Sequence, residues 1–207
     1  DNAGTLTIQL TAWTNGTTRA TALTTQNGVL VLTGSLTRRY LGTFYTSSTT
    51  QTADTFATRF LWNYYNRVWR AMRVLEATNE WAYSTATWRQ ANAAAGNQLD
   101  FVIGFNEDMV TADVVASGYH TGNSSAAVGI GVDVTTESSA GSTFAQTQSS
   151  ATAGSQFIMQ ASYRGYPGLG RHFLAWTEIA NGTVTMTFTG DGGGTIRQSG
   201  IHGTVRN

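Results

Sequence analysis

The sequence predicts an all-β protein, an antiparallel sandwich of about eight strands, and three observations carry that prediction. Val184, Met186 and Phe188 alternate with Thr183, Thr185, Thr187 and Thr189, the two-residue period of a strand with one buried and one wet face. Asn181-Gly182 separates this run from an apolar run over residues 172–176. That dipeptide supplies both positive-φ residues of a type I′ turn, so the two runs are expected to form a hairpin. Finally, residues 172–176 are apolar on both faces, as a strand must be when it lies between two layers or between one layer and a partner chain.

Composition narrows the function classes. The chain has 207 residues, enough for one domain with its own core. Its 12 basic residues, all Arg, balance 12 acidic ones for a formal net charge of zero. No electrostatic footprint for nucleic acid or an anionic membrane results, and neither partner is expected. The polar surface must come from Thr, Ser, Asn, Gln and Gly, which suit sheets and turns. With no cysteine, disulfides and thiolate metal sites are excluded. No apolar run reaches the ~18 residues of a spanning helix. Asp1-Asn-Ala lacks the charged and apolar regions of a signal peptide, so Asp1 reads as a processing point or an internal start.

Taken in order, Leu6, Ile8 and Leu10 alternate with Thr and Gln, giving a first strand that ends at Asn15-Gly16. Asn27-Gly28 joins residues 20–26 to 29–32, completing a small meander. Residues 1–36 are read as this meander appendage, or the end of a preceding domain, and 37–207 as the main domain. Residues 54–66 fit two periods. Phe56, Phe60 and Tyr64 fall at helical spacing behind a capping Asp54, while Phe60, Trp62 and Tyr64 alternate as in a strand; one short helix is expected. Residues 68–75 and 81–88 supply short strands with Trp69, Trp81 and Trp88 as anchors. Further strands are expected at 98–105, 109–119, 128–134, 157–163 and 201–205, with the only proline, Pro167, ending the fourth. Ser- and Gly-rich loops are expected at 122–127, 138–155 and 190–195. The strand count is that of a jelly roll.

Several motifs together resemble a domain of tailed-bacteriophage structural proteins of the tail-fibre or head-fibre type. They are Arg59-Phe-Leu-Trp-Asn-Tyr-Tyr-Asn-Arg-Val68, Met72-Arg-Val-Leu-Glu76, Thr87-Trp-Arg-Gln-Ala-Asn92, Asn97-Gln-Leu-Asp-Phe-Val-Ile-Gly104, Gly170-Arg-His-Phe-Leu-Ala-Trp176 and Gln198-Ser-Gly-Ile-His-Gly203. The terminal pattern also resembles the tumour-necrosis-factor-like jelly roll, a fold-level analogy that implies a homotrimer. The resemblance implies a non-enzymatic virion component at the particle surface: a trimeric fibre or spike head that binds a host-surface receptor or glycan through its loops and contacts other virion proteins. The alternatives are a capsid decoration protein and, in a different class, a polysaccharide depolymerase. His172, Phe173, Trp176 and His202 are the expected trimer-interface residues.

Motifs of established chemistry are missing from the sequence. His120, His172 and His202 lack ligand spacing, and no nucleotide or hydrolase signature occurs, so no metal, cofactor or catalytic residue is assigned. Three symmetry-related copies of His202 could ring an axis and hold an ion. Glu107, Asp108 and Asp113 lie near one strand end, and a carboxylate pair about 5–9 Å apart would suit glycoside hydrolysis; a solvated sheet rim is the expected reading. Asp191 in a Gly-rich tip has the oxygen chemistry of a calcium ligand, or of a plain hairpin tip. Asn15, Asn123 and Asn181 match the glycosylation acceptor pattern, read as chance in a Thr- and Ser-rich chain. Tyr119, Tyr163, Tyr166 and Trp81 are the aromatic candidates for stacking on sugars, weighed against ordinary packing.

Overall fold

In the computed structural model of this chain, residues 4, 6–122, 125–139, 142–148, 154–194 and 196–207 are described, with the backbone alone for 142–148. Among the described residues are nineteen strands and a single 3-10 turn, Ala91–Ala93. The protein is all-β and antiparallel apart from one short parallel pair, a sandwich whose two layers curl into one continuous twelve-stranded sheet.

The N-terminal part lies outside that sheet. β1 (Trp13–Asn15) and β2 (Thr18–Arg19) form a small hairpin at Asn15-Gly16. β3 (Leu23–Gln26), β4 (Val29–Leu32) and β5 (Ser35–Arg39) form the meander. Its first turn carries Asn27 at φ 50 and Gly28 at φ 80, the left-handed pair expected of Asn-Gly. β6 (Gly42–Phe44) pairs with β8 (Leu61–Asn63), and β7 (Thr58–Arg59), between them in sequence, is the exception: it belongs to the large sheet and runs parallel to a later strand at Asp100 and Phe101. Two expectations are corrected here. Residues 6–11 carry a strand pattern but join no ladder; alternation selects a conformation only when a neighbouring strand takes up the backbone groups. The expected helix over 54–66 is absent, because the two-residue period wins: Phe60 and Trp62 are buried while Leu61 and Phe56 are exposed. Asp54, the supposed cap, forms an ion pair with Arg59 instead.

The sandwich follows. Its strands are β9 (Trp69–Leu75), β10 (Glu80–Tyr83), β11 (Arg89–Gln90), β12 (Gln98–Ile103), β13 (Val110–His120), β14 (Ser125–Val132), β15 (Ser142–Gln148), β16 (Phe157–Gly165), β17 (Gly170–Ala180), β18 (Met186–Thr189) and β19 (Gly200–Arg206), besides β7, which pairs with β12. In one layer β13 pairs with β16 along one edge. Its other edge is shared, by β19 at Thr111 to Val115 and β18 at Ser117 to His120. β9 and β10 lie beyond them. In the other layer β17 pairs with β14 on one side and with β12 and β11 on the other. β15 pairs with both β14 and β16, joining the layers along one side. Across the opposite side, Phe56 O accepts from Arg73 N at 2.8 Å and Ala57 O from Asp100 N at 2.9 Å, pinning β9 to β12 through an irregular segment.

Two further expectations fail. No hairpin forms at Asn181-Gly182: β17 pairs with β11, β12 and β14, whereas β18 pairs with β10 and β13. Both edges of β17 are already occupied, so the chain must cross to the other layer. Only Gly182 has positive φ, at 83, and Asn181 Oδ1 accepts from the backbone N and hydroxyl of Thr183 at 3.1 and 2.8 Å, an Asx turn. The expected loop over 138–155 contains β15, the strand that joins the layers. Five of its seven residues are Ser, Thr or Gln, which leaves no apolar alternation, and backbone pairing on both edges makes it a strand all the same.

The core between the layers holds Met72, Leu99, Phe101, Ile130, Met159, Trp176 and Phe188. A second cluster of Leu30, Tyr40, Trp62 and Val102 seats the N-terminal strands on the outside of β12. Full burial of a side chain such as Phe188 or Leu99 contributes about 1.5–3 kcal/mol.

Candidate interaction surface

The residues expected at a trimer interface divide. Trp176 on β17 is 0% exposed, packed edge-on against Trp81 at 5.9 Å. His172 is buried, its Nδ1 2.7 Å from Asp133 Oδ2, and Phe173 is half-buried beneath the Arg171 guanidinium, 5.5 Å from its ring centre. Cover for this doubly apolar strand comes from the same chain. The opposite layer covers its inner face. Outside, residues 133–139 fold back so closely over β14 that a side chain at Gly131 would strike Val134 O and one at Gly129 would strike Ser138. Substitutions at Trp176 therefore report on folding rather than assembly.

His202 is different. It stands on the outer face of β9, β19, β13 and β16, with 57% of its side chain exposed. The register sets Arg73, His202, Asp113 and Ser162 in one cross-strand row, and Leu75, Gly200, Val115 and Gln160 in the next. Asp113 anchors the first row. Both its oxygens accept from Arg164 Nη2, at 3.0 and 2.9 Å, and Oδ1 also accepts from Ser162 Oγ at 2.6 Å. Burial works to raise the Asp113 carboxyl, but these hydrogen bonds outweigh it and hold the group below the usual carboxylate range. Around the row, Trp69, Leu75, Val115 and Ile158 are exposed. Thr111 and Thr204 share a hydroxyl hydrogen bond of 2.9 Å across the same face. The result is a regular, fixed platform of mixed polar and apolar groups.

The aromatic candidates also divide. Trp81 and Tyr163 are buried, so neither offers a face to a sugar. Tyr119 donates its hydroxyl to Glu80 at 3.0 Å. Tyr166, by contrast, is exposed in the loop between β16 and β17. Glu107 and Asp108 pair with Arg67, at 2.6 and 2.7 Å, and Asp108 also with Arg206, at 2.9 Å. Asp113 belongs to the separate row already described. Asp191 Oδ1 accepts from Gly193 N at 3.0 Å, as in a hairpin tip. Asn15 and Asn181 use their side chains as turn acceptors; Asn123 lies outside the described residues. Among the described residues, no group of three or more His, Cys, Asp or Glu side chains could hold a metal ion, and no helix is long and apolar enough to cross a membrane.

Sequence reasoning missed two polar joints. Glu178 on β17 is 0% exposed. Its Oε2 accepts from Trp81 Nε1 at 2.8 Å, and its Oε1 from Arg89 Nε at 2.8 Å and Asn92 N at 3.2 Å. Burial pushes the Glu178 carboxyl above its usual range despite these donors. Beside it, Glu76 accepts from Asn97 Nδ2 at 2.7 Å, Thr78 N at 2.9 Å and Asn92 Nδ2 at 3.3 Å. Burial works to raise Glu76, and those hydrogen bonds hold it below the usual range. Together the two carboxylates clamp a turn in which Asn92 and Ala93 have φ of 56 and 50. Since Trp81 is on β10 and Glu178 on β17, this network ties the two layers together where no ladder does. The second joint is Arg19, whose guanidinium lies 4.6 Å from the Trp13 ring centre and 4.7 Å from that of Tyr40. Its Nη2 donates to Tyr40 Oη at 3.0 Å, to Thr43 Oγ1 at 3.3 Å and to Gly104 O. An Arg spaced near aromatics was the available signal; Glu178, in a run of apolar residues, was the other.

No family model matches this chain, and no curated protein matches it.

Proposed function

We propose that this chain is a non-enzymatic assembly and recognition module: the head of a trimeric fibre or spike on a phage particle, binding a host-surface receptor or glycan through its loops. The outer face of β9, β19, β13 and β16 carries this reading. Exposed Trp69, Leu75, Val115 and Ile158 on one regular platform are the composition of a surface that other protein covers. The platform is already ordered by the Asp113, Arg164 and Ser162 hydrogen bonds, so covering it costs little side-chain entropy. His202 at its centre keeps a symmetric arrangement of copies in play, on this face rather than on β17. The acidic groups support a structural role, since Glu178, Glu76 and Asp113 each have their donors in place within the fold. The motifs that resemble phage fibre proteins supply the particle and the host as context.

Light scattering on the purified chain at tens of micromolar is the test. Three chains per particle are expected, and a single chain after Val115→Glu or Ile158→Glu; an unaltered chain that stays monomeric would overturn the reading. Binding to host cells, abolished by enzymatic removal of surface polysaccharide, is expected of the recognition role. Shortened polysaccharide chains after incubation would instead establish a depolymerase.

A further inference from the structure

Leu6, Ile8 and Leu10 are 95%, 84% and 76% exposed, yet they alternate with Thr7, Gln9 and Thr11 as a strand with one apolar face does. Residues 6–11 carry no charge, and among the described residues no strand takes them up. Their point of departure is nevertheless fixed. Trp13 lies on the Arg19 guanidinium, Arg19 is held by Tyr40, Thr43 and Gly104, and Gly16 O accepts from Arg171 N at 2.8 Å. Gly170 permits this docking, because a side chain there would run into Gly16 O and Thr17.

The same hairpin forms one wall of an open groove of about 330 Å³. Thr17, Thr18 and Arg19 line that wall, and Leu23, Phe105 and Leu169 supply apolar surface opposite. Arg19 already directs Nη2 at three oxygens inside the protein, so what the groove offers a visitor is chiefly apolar. A charge-free strand bearing aliphatic side chains matches it.

We propose that residues 6–11 are an exchanged arm, laid into this groove of a second copy of the chain. The proposal rests on the self-association reading above. A second copy is the occupant because a chain's own arm leaves its three aliphatic side chains in water while its own groove stays open. Arm and groove wall both originate at the hairpin, so each copy carries both halves of such an exchange. From residue 6 to residue 10 a strand spans about 14 Å, which is sufficient reach to place two side chains on the floor. Burying Leu and Ile side chains there is the driving force.

The chain has no cysteine, which makes the test direct. Ile8→Cys and Thr18→Cys alter exposed positions. The two variants, purified separately, are mixed and treated with a short bis-maleimide. The expected product is a cross-link joining the arm of one variant to the hairpin of the other, at least about tenfold more abundant than in either variant alone. The variant with Leu6, Ile8 and Leu10 all changed to Ser is expected to assemble at least about tenfold more weakly by light scattering. If the unaltered chain is oligomeric but no mixed cross-link forms, or the triple variant assembles unchanged, the arm proposal falls and the assembly reading stands. A cross-link within one chain, when both cysteines are placed in the same dilute protein, likewise overturns it. A monomeric unaltered chain removes the assembly reading and the arm with it.

Discussion

Arg89→Ala is the sharpest probe of how the two layers are held together. Glu178 is fully buried, and Arg89 meets its Oε1 through both Nε at 2.8 Å and Nη2 at 2.7 Å. Without the guanidinium, Oε1 keeps only Asn92 N at 3.2 Å and Oε2 keeps Trp81 Nε1 at 2.8 Å. A buried carboxylate that loses its counter-ion costs about 3–5 kcal/mol. The cost depends on pH in a definite direction. Burial already raises the folded-state carboxyl of Glu178 above its unfolded value, and removing the cation raises it further. Between the two values the folded state binds more protons than the unfolded, so stability falls as pH rises through that window. Urea denaturation followed by tryptophan fluorescence should therefore show the full loss at pH 8 and a smaller one at pH 5. Glu178→Gln in the Arg89→Ala background should recover part of the loss at pH 8, since no buried charge remains. A loss below about 1 kcal/mol at pH 8, or an equal loss at both pH values, would refute the account of Glu178 as a charged joint.

Two more outcomes are expected. Arg19→Ala removes a guanidinium that donates to Tyr40 Oη, Thr43 Oγ1 and Gly104 O; about 2–3 kcal/mol should be lost from local opening of residues 13–19, seen as faster amide hydrogen exchange there with exchange in β13 unchanged. Acid should destabilise the chain through Glu76, Asp113 and Asp133. Burial works to raise each, yet their hydrogen bonds, from Asn97, Arg164 and His172 respectively, hold all three below the usual carboxylate range. Their contribution is present above the unfolded values near pH 4 and is lost as pH falls through the folded ones. Denaturation midpoints measured from pH 6 to pH 2 should drop below about pH 4, less steeply in Asp133→Asn.

How far the sequence could be read depends on how local each signal is. Asn27-Gly28 behaves as expected because β3 and β4 are adjacent and the turn alone sets their geometry. Asn181-Gly182 fails with the same dipeptide because the edges of β17 are filled by strands about 40 to 90 residues away in sequence. β15 was hidden by its largely polar composition, and residues 6–11 displayed a pattern that no strand among the described residues answers. Likewise Trp176 reads equally well as core or interface, and only the fold-back of residues 133–139 over β14 shows which. Tyr166 and His202 were legible as surface candidates from their loop and alternation positions. Glu178 and Arg89, 89 residues apart, were not legible as a pair.

By itself the sequence determined the all-β class, most strand positions in the second half of the chain, the freedom from disulfides and the weakly charged surface, because two-residue alternation and composition are properties of neighbouring residues. The tertiary structure alone decided which runs pair, which apolar strand is sealed inside and which face stays open. Those outcomes follow from how distant segments compete for the same backbone edges and the same buried volume, and no local pattern encodes that competition.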